Sequence, residues 1–298
     1  MKKRVCVLMS TYNGEKFLRE QIESILGQSG VDVSIIVRDD GSSDTTKIIL
    51  EEYMKKGLLF WYAGENVGAA HSFIDLILYC SQEFDFYAFS DQDDVWFSEK
   101  LCKAVEMISG YGDVPVFYNS KAIIVDENLN NLGSIFGSEK VYNWETQIAR
   151  SNVIGCTLVV NNNLMNILKR YRPNYVCMHD QWIAIVCKVF SGVEVKDNNA
   201  YMLYRQHGNN LIGTKGNISE KFKNSFINER TNCRQRQARE VLCGYSIYLD
   251  EQVRTILNYL SDYQKKRYYQ WKCMVLDYNC EKAYLNLLIR LAFLFKRF

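Results

Sequence analysis

Within its first 110 or so residues this chain repeats one pattern four times: a short apolar run, a polar cluster, then apolar residues at helical spacing. Val5 to Met9 is followed by Phe17, Leu18, Ile22, Ile25 and Leu26 on one helical face. Val33 to Val37 leads through Ser42-Ser43-Asp44, a helix-capping cluster, to Ile48, Ile49 and Tyr53, with a stop near Gly57. Leu58 to Tyr62 precedes a helix from about Ala69 to Cys80, and Phe84 to Phe89 precedes a helix carrying Leu101, Val105 and Ile108, which Ser98 can cap. Strands that are apolar throughout suit a parallel sheet covered on both faces, so the pattern predicts a doubly wound α/β fold. Ligand sites of such folds gather at the C-terminal strand ends. Each polar cluster falls at one of those ends: Thr11-Tyr12-Asn13, Asp39-Asp40-Gly41, Asn66-Val67-Gly68 and Asp91-Gln92-Asp93-Asp94.

Taken alone, Asp-Asp-Gly is usually a turn. Four polar clusters at equivalent strand ends would instead line a single crevice. Three carboxylates in four positions repel one another, and a divalent cation carrying phosphate is a partner that stabilises them. The chain has neither GxGxxG nor GxxxxGK[ST] after its first strand, so a nucleotide would be held through carboxylates and a metal. Asp40 could accept from a base N–H or a ribose hydroxyl, while Asp93 and its neighbours hold the cation. A calcium loop is excluded, because its sixth and twelfth positions would be Trp96 and Cys102 where Gly and Glu are required.

Composition limits the rest. At 298 residues and 48% hydrophobic content, the chain can bury one large core, with or without a small appendage. It holds only two prolines and no Gly/Ser tract, so charge has to mark the boundary. Residues 1–214 carry 20 basic against 26 acidic side chains, and residues 215–298 carry 16 against 8. Ten scattered cysteines without a CxxC pair fit reduced thiols in a cytosolic protein better than disulfides or zinc. Met1-Lys2-Lys3-Arg4 runs into a strand, not a signal-peptide core. The longest apolar stretch, Ala283 to Phe295, is interrupted by Asn286 and Arg290 and falls short of the roughly 20 residues that span a bilayer. No recognised nucleic-acid module accompanies the basic part.

Val7-Leu8-Met9-Ser10-Thr11-Tyr12-Asn13-Gly14, Arg38-Asp39-Asp40-Gly41-Ser42-Ser43-Asp44, Asn66-Val67-Gly68 and Ser90-Asp91-Gln92-Asp93-Asp94 together resemble the successive signatures of inverting family 2 glycosyltransferases, over roughly residues 4 to 210. The resemblance implies a GT-A fold: a Rossmann-like, mostly parallel central sheet, here with a C-terminal helical region. It implies that Thr11, Tyr12, Asp40 and Asn66 contact the nucleotide, that Asp91 and Asp93 form a DXD pair, and that Asp94 shares in binding Mn²⁺ or Mg²⁺. Attack of a hydroxyl on an anomeric carbon needs a carboxylate base. Asp180, in Met178-His179-Asp180-Gln181-Trp182 before the apolar helix Ile183 to Val189, resembles the family's base, with His179 standing where Glu is usual. A helix N-cap is the bland reading of Asp180. His207, in Tyr204-Arg205-Gln206-His207, resembles a metal-binding histidine of several relatives, and Arg205 suits a diphosphate. His71 receives no catalytic role, and no base stands beside Ser10-Thr11 to make either a nucleophile.

The expected organisation is a catalytic domain over 1–214, with a nucleotide-sugar half (1–115) and an acceptor and base half (116–214), followed by a basic helical region over 215–298. Within the second half, Phe117 to Gly137 reads as a pair of strands and Gly155-Cys156-Thr157 as part of another. Trp144 or Trp182 could stack on a sugar, although core positions suit each of them better. The C-terminal helices read as a membrane-surface element, or alternatively as a bundle against the catalytic part or a second subunit in a homodimer. The resemblance points to a bacterial enzyme of surface polysaccharide synthesis, cytoplasmic or peripheral at the cytoplasmic membrane face. dTDP-rhamnose is the first donor and a UDP-hexose the second, and the acceptor is a glycan or lipid-linked glycan. A non-catalytic sugar-nucleotide or carbohydrate-binding module on the same scaffold is the reading from another class.

Overall fold

A computed structural model of the chain describes residues 1–81, 84–207 and 232–296. The boundary expected at 214/215 lies outside the described residues. Four β-α units open the fold: β1 (Lys3–Thr11), α1 (Leu18–Leu26), β2 (Val31–Asp39), α2 (Thr46–Lys55), β3 (Phe60–Ala63), α3 (Gly68–Tyr79), β4 (Phe86–Ser90) and, after the short β5 (Val95–Trp96), α4 (Lys100–Ile108). β3, β2, β1 and β4 lie side by side and all run parallel, with Val7 level with Ile35 on one side and Ala88 on the other.

The reason is visible in β1, where Val5 to Met9 are fully buried. Alternate side chains point to opposite faces of a strand. Cys6 and Leu8 therefore join one core with Phe73, Ile74 and Ile77 of α3, whereas Val5, Val7 and Met9 join the other with residues of α1, α2 and α4. No polar face is left to meet solvent. α2 begins at Thr46 behind Asp44, whose Oδ1 accepts the Thr46 N–H at 3.0 Å.

Beyond α4 come β6 (Val116–Val125), β7 (Asn131–Phe136), α5 (Trp144–Ala149), β8 (Val159–Asn161), α6 (Asn162–Leu168), α7 (His179–Val189) and β9 (Val193–Arg205). The full strand order is β3-β2-β1-β4-β8-β6-β9-β5, with β7 paired to β6. Here the sheet becomes mixed, although β6 and β9 still pair in parallel. β8 runs antiparallel to both β4 and β6, β5 runs antiparallel to β9, and β6–β7 is an antiparallel hairpin. The predicted strand at Gly155-Cys156-Thr157 is instead a 3-10 turn, closed by Thr157 N–H to Ile154 O at 3.1 Å and Leu158 N–H to Gly155 O at 3.0 Å. The strand starts just after it, at Val159.

The described C-terminal part is helical, as expected: α8 (Cys233–Tyr245), α9 (Glu251–Asp262), α10 (Arg267–Met274) and α11 (Ala283–Leu294). Ala238, Val241, Leu257, Tyr263, Ile289 and Phe293 are buried in the core that also holds α3 and α7. Hydrogen bonds seal the junction: Asn143 N–H to Asn279 Oδ1 at 3.0 Å and Asn279 N–H to Thr146 Oγ1 at 2.8 Å. Among the described residues, no helix is long and apolar enough to cross a membrane.

Candidate active site

The four polar clusters converge as expected, because parallel strands in register end at one level. Hydrogen bonds between side chains and backbone join them in two pairs, the first cluster to the fourth and the second to the third. Gln92, the middle residue of the acidic loop, accepts the Tyr12 N–H at 2.8 Å and donates to the Tyr12 carbonyl at 3.0 Å. A Cβ on Gly14 would collide with that same amide. Thr11 is buried and donates to Asp39 Oδ1 at 3.3 Å, while Tyr12 is 49% exposed. Asp39 is consumed locally by Ser42 and Thr11.

Asp40 also lies inward, 2% exposed. Its Oδ1 accepts from Arg38 Nη1 and from Val67 N–H at 3.0 Å, and its Oδ2 accepts from Gly68 N–H at 2.9 Å. The carboxylate thereby holds the positive end of α3 to the end of β2. Arg38 is held in turn by Asp75, through Nε to Oδ2 at 3.1 Å. Asn66 is exposed at the crevice rim. Gly41 has φ +83°, and a Cβ there would come within 3.3 Å of Asn66 N, so the turn needs glycine on both counts.

The acidic loop itself is graded by depth. Asp94 is 1% exposed, its Oδ1 accepts the Arg205 N–H at 3.2 Å, and its Oδ2 has no hydrogen-bond partner among the described residues. Burial, then the charges of Asp93 and Asp91, hold its carboxyl well above the usual carboxylate range. Asp91 keeps part of its surface accessible, yet burial followed by Asp93 and Asp180 pushes it up to about 7. One ligand atom each from Asp91, Asp94 and the buried Cys156 lie within 4.8 Å of one another. Beneath them Lys100 is fully buried, its Nζ 3.6 Å from the Trp96 ring centre. Burial brings its pKa down to about 8 against the opposing pull of Cys156 and Asp94.

Asp180 is the second residue of α7, not its cap, for the helix begins at His179 and Met178 precedes it. It is 8% exposed, with Oδ1 accepting the Gln181 N–H at 2.6 Å. The 3-10 turn ties it to the acidic loop. A Cβ at position 155 would stand 3.6 Å from Asp180 Cβ, while the next residue, Cys156, reaches Asp91 and Asp94. His179 is a packing group. It is 3% exposed and stacks on Phe73 at 3.9 Å between ring centres, and neither ring nitrogen has a hydrogen-bond partner among the described residues. Burial alone takes its pKa down to about 3, so the ring is neutral.

His207 follows β9, and its Nε2 lies 2.6 Å from Asp93 Oδ2. Arg205, expected to grip a diphosphate, is 2% exposed and is instead held within the protein. Its Nε donates to Asp93 O at 2.8 Å, Nη1 to Glu127 O at 2.5 Å and Nη2 to the Glu20 carboxylate, with the guanidinium 4.3 Å above the Phe17 ring centre. The side chain thus clamps α1, the β6–β7 hairpin and the acidic loop. Trp182 is 1% exposed and belongs to the core, and half-buried Trp144 packs against that core. Gln92, Cys156, Lys100 and Glu20 escaped the sequence reading. Of these, only Gln92 carried a signal there, its place between two aspartates.

Among the described residues, Asp91, Asp94 and Cys156 form one group of ligand atoms and Asp93 pairs with His207 outside it; the carboxylate oxygens of the loop suit a hard or borderline divalent cation.

Comparison with known proteins identifies the family and the fold. The chain matches the glycosyl transferase family 2 model over residues 6–172. It is 28% identical over 231 residues to a dTDP-rhamnosyl transferase of Shigella flexneri, spanning 72% of this chain and 77% of that one. It is also 28% identical over 164 residues to a UDP-Glc:alpha-D-GlcNAc-diphosphoundecaprenol beta-1,3-glucosyltransferase of Escherichia coli, spanning 54% and 62%. Among solved structures, residues 1–349 of S. aureus TarS in complex with UDP-GlcNAc share the fold at a TM-score of 0.59 and 18% identity, covering 100% of this chain and 82% of that one. A mannosyltransferase of Pyrobaculum calidifontis in complex with GDP-Man and Mn²⁺ does so at 0.52 and 13%, covering 100% and 87%. The matched segment takes in the four parallel strands, the acidic loop and the turn that links it to α7, and on that match the chain belongs to glycosyl transferase family 2 and is a glycosyltransferase.

Proposed function

We propose that this protein transfers a sugar from a nucleotide sugar to a hydroxyl of a glycan or lipid-linked glycan, with inversion and with a divalent metal, in bacterial surface polysaccharide synthesis. dTDP-rhamnose is the first donor to test and a UDP-hexose the second, in line with the names of the two curated relatives. The observation that carries the reading is the seating of Asp180 against the turn at Gly155 and Cys156, whose thiol lies with Asp91 and Asp94 of the acidic loop.

Asp180 takes the proton of the acceptor hydroxyl as its oxygen attacks the anomeric carbon, and the bond from that carbon to the diphosphate oxygen breaks on the opposite side. Asp91, Asp93, Asp94 and His207 are the residues that would hold Mn²⁺ or Mg²⁺, and such an ion would supply positive charge to offset the negative charge gathering on the departing diphosphate. Thr11, Tyr12, Asp40 and Asn66 shape the nucleotide end of the crevice. Asp40 acts there chiefly by holding Val67 and Gly68 in place. Arg205 serves as the brace of the loop rather than as a phosphate ligand. Residues 1–115 form the nucleotide-sugar half of the catalytic part and 116–214 the acceptor and base half. The basic C-terminal region, whose described helices begin at Cys233, meets the membrane surface where a lipid-linked acceptor resides.

Release of nucleoside diphosphate from dTDP-rhamnose and from UDP-glucose, with and without Mn²⁺, tests the class of reaction. Asp180→Asn is expected to lower turnover by about 10²- to 10⁴-fold, the usual contribution of a general base, with donor affinity near wild type. A fully active Asp180→Asn would remove Asp180 as the base. Binding of nucleotide sugars without turnover of any would favour the non-catalytic binding module.

A further inference from the structure

The last described helix has two apolar faces, and the described residues cover one of them. Ile289, Ala292 and Phe293 of α11 are buried in the core, whereas Tyr284, Leu287, Leu294 and Phe295 are 51%, 55%, 46% and 65% exposed. Positions 284, 287, 288, 291, 294 and 295 recur every three or four residues, so their side chains form one stripe opposite the buried one. The polar side chains of the helix do not relieve it. Asn286 Oδ1 accepts the Cys280 N–H at 2.9 Å, and Arg290 donates to the Met274 and Leu276 carbonyls. Scattered exposed leucines need no explanation, but a continuous apolar stripe does. Twelve residues extend about 18 Å, well short of a bilayer's hydrocarbon thickness of about 30 Å, so such a helix lies on a surface.

Charge selects the surface. From Lys282 to Phe298 the sequence holds four basic residues and no acidic one. At the C-terminal end of the stripe, Lys296 Nζ donates to Gln264 O at 2.8 Å. That bond sets the exposed Lys265, Lys266 and Arg267 beside it, Lys265 being paired with Asp262. A second copy of the chain is the competing occupant. Two-fold antiparallel pairing of such stripes would bring Lys282 of one copy toward Lys296 and Arg267 of the other, with no carboxylate in the stripe to offset the repulsion. Anionic headgroups offset the basic groups at both ends, and acyl chains take the stripe between them.

We infer that the outward face of α11, carrying Tyr284, Leu287, Leu291, Leu294 and Phe295, seats on an anionic phospholipid surface with the helix axis in the membrane plane. This names the surface behind the proposed membrane contact. Its purpose rests on a lipid-linked acceptor, while its existence does not depend on the transfer chemistry.

Flotation of the full chain with vesicles of phosphatidylcholine and phosphatidylglycerol tests it, with pure phosphatidylcholine vesicles as the comparison. Wild type is expected to float with the anionic vesicles, more weakly as salt rises. The exposed-site variant Leu287→Gln/Leu294→Gln is expected to lose binding by about tenfold or more, and Lys266→Glu/Arg267→Glu to lose the preference for anionic lipid. Both variants are expected to keep wild-type thermal melting and wild-type donor turnover, which separates failure of this surface from failure of the sugar-transfer reading. Wild type that stays unbound, variants that float like wild type, or a wild-type dimer in light scattering that Leu287→Gln/Leu294→Gln converts to monomer would each overturn the proposal.

Discussion

Asp93 Oδ2 and His207 Nε2 stand 2.6 Å apart across 114 positions of sequence. A carboxylate and an imidazole that close share one proton or one cation. The contact joins the loop after β4 to the segment after β9, and α7 with Asp180 packs in the same region.

If the pair holds the metal together, its members do not act independently. Asp93→Ala and His207→Ala are each expected to weaken donor binding in the presence of Mn²⁺ and to leave metal-free binding nearly unchanged. The double variant is expected to fall short of the sum by a coupling of about 0.5 to 3 kcal/mol. Titration calorimetry with nucleotide sugar measures all four corners, and strict additivity would show that the two residues do not share a ligand.

Arg205 makes a separate case, since its guanidinium binds three parts of the protein at once. Arg205→Ala strands the Asp93 and Glu127 carbonyls and is expected to cost about 3 kcal/mol in urea unfolding, the upper end for hydrogen bonds to a charged group. Arg205→Lys is expected to restore less than half of the loss, because an ammonium cannot reproduce the spread of a planar fork. Unchanged stability in Arg205→Ala would return the side chain to a ligand-binding role.

Gln92 couples the first loop to the acidic loop by two hydrogen bonds to Tyr12. Gln92→Ala is expected to raise the donor KM severalfold with a smaller change in kcat, at a cost in folding stability of about 1 to 2 kcal/mol. Initial rates over a range of donor concentrations read the split. Equal falls in kcat and kcat/KM would place Gln92 in the transition state instead.

The neutral His179 makes acid sensitivity predictable. Its folded pKa is taken down to about 3, whereas an unfolded histidine titrates near pH 6.5. Below about pH 6.5 the unfolded chain binds the proton and the folded chain does not, so stability rises with pH between the two values and is lost on acidification. Against His179→Leu, wild type is expected to lose ground as pH falls from about 7.5 to about 5 in denaturant titrations. Parallel curves for the two proteins would show that His179 has found a partner for its proton.

What was legible in the sequence was local. The apolar runs of β1, β2 and β4 and the helical spacing of Leu18, Ile22 and Ile25 each depend on residues a few positions apart, and each element forms within a few positions of where it was expected. Strand-end clusters could be placed on one edge because parallel strands in register carry their ends to one level. The hairpin across Asp126 to Asn131 was legible for the same reason, as a polar turn between two β-prone runs.

The sequence by itself therefore determined the β-α units, the crevice at their ends and the family to which they belong. Only the tertiary structure decided what those residues face. It ran β8 antiparallel, turned Arg205 inward onto Glu20 and Glu127, set Gln92 against Tyr12, and brought Asp180 to the acidic loop through the turn at Gly155 and Cys156. The physical reason is that periodicity encodes which face of an element is buried. Hydrogen-bond partners and charge neighbours 78 to 185 positions away depend instead on how whole elements pack, which no short window of sequence records.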